Sequence, residues 1–247
     1  MPITLMLLAM IVMPVTYIKT GIKKNTPPFV LIARSTVYTA VGLFLIIALS
    51  DLVGSSLIDQ MSKIFDQATD MLVSNKELIS KLGLDKLSQD QLVKQVDTAY
   101  KMIEASTIAM LFCTAAVINF IEYNIIVKIT YKGEQIPPGK KALIRELNLE
   151  PNQLAGWFII YIVAFLISTS SPVGTIALVN INLLIESVFA IGGVSVIFYF
   201  FHLKKKPRIL AILVVVALWL VPFGRDILFV GGFVDVIMGL KKRVKGI

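Results

Sequence analysis

Two pairs of polar residues lie inside apolar runs of this chain. Asn182 and Glu186 are four residues apart within 178–201, and Asn119 and Glu122 are three apart within 105–127. At those spacings each pair shares one face of a helix. A carboxamide and a carboxylate on one face can hold a polar or cationic solute, or they can tie one helix to its neighbour. Asn180 adds a further amide to the first group, and Asp235 stands near the end of the last apolar run. Polar groups in hydrocarbon are expensive and normally face the inside of a bundle. The bland reading makes all six interhelical hydrogen-bonding groups, each worth about 0.6–2 kcal/mol. The sharper one makes them a ligand site, with Glu186 at its centre. Glu186 is at least ten residues from either end of the full apolar run 176–203, too deep to reach water by extending its side chain. Glu122 and Arg34 sit near a membrane boundary, where that escape is open.

The elements that would position these residues are membrane spans. The 247 residues are 56% apolar and only 16% charged, with a mean hydropathy of +0.81. A soluble domain of this size carries more charge. Apolar runs at 1–18, 29–53, 105–127, 154–170 and 176–203 approach or exceed span length. The run 209–240 is too long for one crossing and is interrupted by "PFGRD". Two short spans joined there are expected, with a re-entrant pair as the alternative. The fold class is thus an all-α integral membrane protein: one membrane domain over 1–247, a multi-span helical bundle of six or seven spans.

Residues 55–104 differ from the rest. They hold six lysines and eight acids, and their apolar residues recur at three- and four-residue steps, the mark of an amphipathic helix. Ser88 and Gln91 predict a capping box that starts a second helix. The four segments 19–24, 128–152, 204–208 and 241–245 hold 16 of the 24 lysines and arginines but only three acids. The positive-inside rule places them in the cytoplasm and makes 55–104 an extracytoplasmic helical insert. Seven spans then leave Met1 outside, which suggests that a helix normally preceding the first is lacking here.

Other residues invite plainer readings. His202 lies beside three lysines at the end of a run, and a lone histidine does not make a metal site. Cys113 is a packed small side chain, and no internal disulfide is available to a single cysteine. Trp157 and Trp219 are packing or interfacial anchors. Gly192–Gly193 and Gly231–Gly232 are close-packing positions for helices. Asp235 is expected to pair with a nearby base such as Arg243, or to cap the short terminal helix. There is no catalytic constellation, nucleotide-binding loop or metal motif, so an enzyme, a cofactor and a nucleic-acid partner are not expected.

The segment "IPPGKKALIRELNLEPNQLAGWFII", with Pro137, Pro138, Arg145, Leu147, Leu149, Pro151 and Trp157, resembles the corresponding loop of the YybS-type predicted membrane proteins, a family of unknown function. So do Asn180 or Asn182 followed by Gly193 and Ser195, and the ending with Gly232, Asp235, Lys241, Lys242 and Arg243. The "GLDKLSQDQL" stretch of the insert fits as well. The resemblance implies a bacterial plasma-membrane protein. The family is in turn distantly similar to the substrate-binding subunits of energy-coupling-factor transporters. Their Ala-x-x-x-Ala docking pair is absent here, since Met13 follows Ala9 and Val37 follows Ala33. Two functions are expected to compete. One is a small-solute binding or transport subunit, with its site between the third, fifth and last helices. The other is a membrane scaffold or envelope-assembly protein whose partner is another membrane or envelope protein.

Overall fold

The computed structural model describes residues 2–52, 57–81, 88–169 and 171–244, and all regular structure among them is helical. Residues 82–87, most of them in the "GLDKLSQDQL" stretch, Ser170 and the last three residues lie outside the described residues. Helices α1 (Pro2–Lys23) and α2 (Pro28–Leu52) form a hairpin. Asn25 takes the left-handed conformation in its turn, at φ 56°, a role that asparagine tolerates. Pro28 then opens α2, where its fixed φ and missing N–H cost nothing. Gly21 lets Leu31 pack directly on the α1 backbone. Ile18, Ile22, Leu31 and Ile32 form a core with Tyr123, Ile126 and Val127 of α5.

The insert begins with α3 (Leu57–Ser74) and α4 (Lys76–Lys81). The predicted capping box is present: Gln91 N–H donates to Ser88 Oγ at 3.3 Å, and Ser88 N–H to Gln91 Oε1 at 2.9 Å. It does not start a short insert helix, however. It starts α5 (Gln89–Thr130), one helix of 42 residues, about 63 Å long. The sequence reading had divided this stretch into an amphipathic helix and a separate span. Between Gln89 and Thr130 there is no glycine or proline. The surface changes there from polar to apolar while nothing breaks the backbone. Phe65 of α3 packs on Tyr100 of α5, ring centroids 4.9 Å apart.

A 3-10 turn (Ile144–Glu146) precedes α6 (Pro151–Ser168) and α7 (Pro172–Leu203). Ser171 caps α7 by accepting from Gly174 N–H. Next come α8 (Arg208–Leu220), α9 (Gly224–Met238) and the short α10 (Leu240–Val244). Among the described residues three stretches, Pro28–Ser50, Gln89–Thr130 and Val173–Leu203, are long and apolar enough to cross a membrane; Leu154–Ser168 and Arg208–Leu220 are apolar but shorter. Phe158, Ile159, Val163 and Leu166 of α6 remain exposed, as expected of a face turned to lipid.

The α8–α9 pair settles against α7. Arg225 lies beside Glu186, Phe229 and Phe233 flank Phe189, Gly232 meets Gly192, and Lys241 reaches Ser195. The two numberings ascend together, so α9 runs in the same direction as α7 and α8 runs back between their ends. The tip of this hairpin is level with Glu186, about 21 Å from the start of α7 and about 26 Å from its end. The glycine pairs act as expected. A β-carbon on Gly193 would strike the Leu228 carbonyl, and one on Gly232 the Phe189 carbonyl.

The four basic segments gather at one end of the bundle. Lys140 Nζ donates to Asn25 Oδ1, Arg145 Nη1 lies 3.2 Å from His202 Nδ1, and Lys241 Nζ donates to the Leu147 carbonyl. Each contact joins the loop 128–152 to one of the other three segments or to a residue within two positions of it.

Candidate functional site

Helix α7 carries most of the embedded polar groups, and their register decides where they go. Residues two apart on a helix point about 200° apart. Asn180 therefore faces α5, while Asn182 and Glu186 face the other way, where the α9 tip lies.

Asn180 is 5% exposed. Its Oδ1 accepts Ala109 N–H at 2.8 Å, and its Nδ2 donates to the Ala105 and Ile176 carbonyls. Ala109 N–H and Ala105 C=O are the two groups that pair with each other in an undisturbed helix. The carboxamide thus clips onto one rung of α5, a structural tie. Asn119 is fully buried and joins α5 to α2: its Nδ2 donates to Thr39 Oγ1 at 3.2 Å and to the Ala115 carbonyl at 2.7 Å. Asn119 Oδ1 and Glu122 Oε2 are both buried without a hydrogen-bond partner.

At the other end of α7, Asp235 and Lys241 form an ion pair of 3.1 Å, with side chains 6% and 9% exposed. Asp235 Oδ1 also accepts Lys241 N–H at 3.0 Å, which caps the first turn of α10. Lys241 Nζ donates to Ser195 Oγ at 3.1 Å and to the Leu147 carbonyl, and Ser195 in turn donates to that carbonyl at 3.0 Å. A nearby base such as Arg243, or a cap of the terminal helix, is what the sequence predicts for Asp235; the base is Lys241, and the cap is present as well. Gly239 ends α9 in the left-handed conformation at φ 60°, which folds the chain back so that residue 241 covers Asp235. The sequence reading did not assign Lys241, Ser195 and the Leu147 carbonyl to a network. Its available signal was Gly239, a glycine placed where helices stop.

Glu186 is held differently. Asn182 Nδ2 donates to Glu186 Oε1 at 2.8 Å, and Arg225 Nη2 lies 2.9 Å from Glu186 Oε2. The Glu186 and Arg225 side chains are 39% and 41% exposed. This cluster sits near the middle of α7, at a break between two helices. Of the six residues singled out from sequence, Asn182 and Glu186 come together. Asn180, Asn119, Glu122 and Asp235 occupy separate places, because α7 stands between α5 and α9.

The sequence matches the profile of the predicted membrane protein family DUF2232 over residues 1–236. The chain belongs to that family. No curated protein and no solved structure matches it. DUF2232 is a family of unknown function, which agrees with the resemblance found from the loop and span motifs. The matched region includes the insert, α7 and the tip of the α8–α9 hairpin. The looser likeness to energy-coupling-factor subunits is not shown by these matches.

Proposed function

We propose that this DUF2232 protein is a multi-pass protein of the bacterial plasma membrane that binds or transports a small polar solute. The site is the Asn182–Glu186–Arg225 cluster at the tip of the α8–α9 hairpin. The observation that carries this reading is a half-exposed ion pair near the middle of a long apolar helix, against a helix break. Broken helices are tolerated at membrane depth where they line a cavity, and their ends commonly bind solutes there. Arg225 supplies a cation and Glu186 an anion, so a zwitterionic or dipolar solute suits the pair better than a simple cation. No bond-making step is part of the proposal.

The matching topology has α1, α2, α5, α6 and α7 crossing and α8–α9 entering and returning on one side. Residues 55–104 are then outside, and all four basic segments are in the cytoplasm. The gathering of those segments at one end of the bundle supports it.

Native mass spectrometry of the purified chain tests the function. A co-purifying small molecule is expected, and Glu186→Gln and Arg225→Gln are each expected to lose it. A spectrum of apo protein and lipid alone rejects the solute reading. The second reading, a scaffold or envelope-assembly protein, draws support from the insert, where Ile64, Met71 and Met102 are 63–70% exposed. It predicts that cross-linkers at Lys63 or Lys94 capture another envelope protein; adducts confined to lipid or to the chain itself reject it.

A further inference from the structure

A cleft of 80 Å³ opens where α7 ends, α8 begins and residues 143–145 cross over them. Its floor is apolar, made by Phe198, Phe201 and Ala211, and its rim carries Arg145, His202, Lys206 and Arg208. Arg208 lies over the Phe198 ring, 5.8 Å from its centroid. Arg145 Nη1 lies 3.2 Å from His202 Nδ1 on the cleft lining. Glu146 lies 3.9 Å from Arg145 Nε. Lys204 and Lys205 add two more charges beside the rim.

Arg145, Lys204, Lys205, Lys206 and Arg208 give the cleft and its edge an excess of positive charge. It also surrounds the wrong end of a helix. The start of α8 is the positive end of its dipole, where acids are favoured. The first turn of α8 holds no acid, and its N-cap, Pro207, offers no side-chain acceptor. Lys205 holds a left-handed backbone at φ 51° in this turn, where glycine or asparagine is at home; the equivalent place in the α1–α2 turn is Asn25. Charge is kept here at the expense of local conformation. An anion resolves the charge conflict at this helix start.

The floor decides what kind of anion. A free ion gains nothing from Phe198, Phe201 and Ala211. The apolar residues Leu203, Ile209 and Leu210 beside the cleft are 45%, 66% and 41% exposed, so the cleft is continuous with the lipid-facing surface. We infer that this cleft binds the phosphate headgroup of an anionic membrane lipid, with the upper acyl chain against the aromatic floor. Basic pockets between helices at a membrane boundary suit such headgroups. The inference is independent of the solute site, which lies a hairpin's length away.

The test uses the purified full chain in neutral detergent. Phosphatidylglycerol and phosphatidylcholine with the same acyl chains are titrated and read by native mass spectrometry, with thermal midpoints recorded alongside. Wild-type protein is expected to retain phosphatidylglycerol more tightly. Each basic residue near an anionic headgroup is worth roughly fivefold, so Lys206→Gln with Arg208→Gln is expected to weaken retention about thirtyfold. Lys19→Gln with Lys23→Gln, an equal charge change on α1, is expected to leave it intact. If the double variant does not fold, Lys206→Gln alone, at an exposed side chain, is expected to cost about fivefold. Unchanged retention in the cleft variants, or equal loss in the α1 control, overturns the inference. Displacement of the lipid by millimolar pyrophosphate overturns the lipid assignment in favour of a soluble phosphate compound.

Discussion

Two carboxylate–base pairs brace the contact between α7 and the α8–α9–α10 segment, and they are built on opposite plans. Asp235–Lys241 is almost fully buried, and its lysine also reaches Ser195 and the Leu147 carbonyl. Glu186–Arg225 has similar geometry, 2.9 Å against 3.1 Å, yet both of its side chains are about 40% exposed. The first pair ties the end of α9 to the loop before α6. The second joins the hairpin tip to the middle of α7 and leaves polar atoms open to a ligand. Distance alone does not separate a structural pair from a functional one; burial and the number of satisfied partners do.

The largest effect is expected where the pair is buried. Asp235→Ala leaves the Lys241 ammonium in a site without its counter-charge, a change that typically costs about 3–5 kcal/mol. Thermal unfolding in detergent should show a large drop. Removing both charges, with Asp235→Asn and Lys241→Met, should recover most of it, because Ser195 and the Leu147 carbonyl still satisfy each other at 3.0 Å. A double variant as unstable as Asp235→Ala would mean that the polar network, and not the stranded charge, sets the cost.

The corresponding change in the exposed pair should be mild. Glu186→Gln keeps the hydrogen bond from Asn182, and in the water-lined site proposed above the loss of a half-exposed ion pair costs below about 1 kcal/mol. The same unfolding assay should barely register it, while solute retention is lost. A drop as large as that of Asp235→Ala would break the comparison and make Glu186 a structural brace like its partner site.

Much of this arrangement was legible in the chain, residue by residue. The Ser88–Gln91 box, the amphipathic character of α3, the two glycine pairs and the grouping of the basic segments all follow from local rules, and local rules survive tertiary packing. The opposed directions of Asn180 and Asn182 were also implicit in the helical period, although their partners were not. The unbroken α5 was not legible, because hydropathy reports the change of solvent at about residue 105 while the backbone has no reason to stop there. The partner of Asp235 was hidden for another reason. Arg243 and Lys241 are both close in sequence, and only the left-handed turn at Gly239 brings residue 241 over the carboxylate.

The smallest perturbation sharpens the comparison most, since it asks how deep the exposed pair lies. Phe223 is at the hairpin tip and 72% exposed, so a cysteine there carries a bimane label at little cost to packing. The Cys113→Ser background removes the one native thiol. Labels at Ser74 and Arg243 on the same background report sidedness: an impermeant reagent on intact cells should reach Ser74 and not Arg243. In liposomes, the Phe223 bimane should be quenched best by a doxyl group deep in the acyl chain. A hairpin of 13- and 15-residue helices is about 20 Å tall, short of a core about 30 Å thick. Quenching strongest at the headgroup would instead put the tip through the far boundary. The Glu186–Arg225 pair would then lie in the outer interface, where an exposed ion pair needs no ligand to explain it. Deep quenching places the pair at membrane depth, each side chain about 40% uncovered by the protein, where paired charges line a water-filled cavity of the kind a polar solute enters.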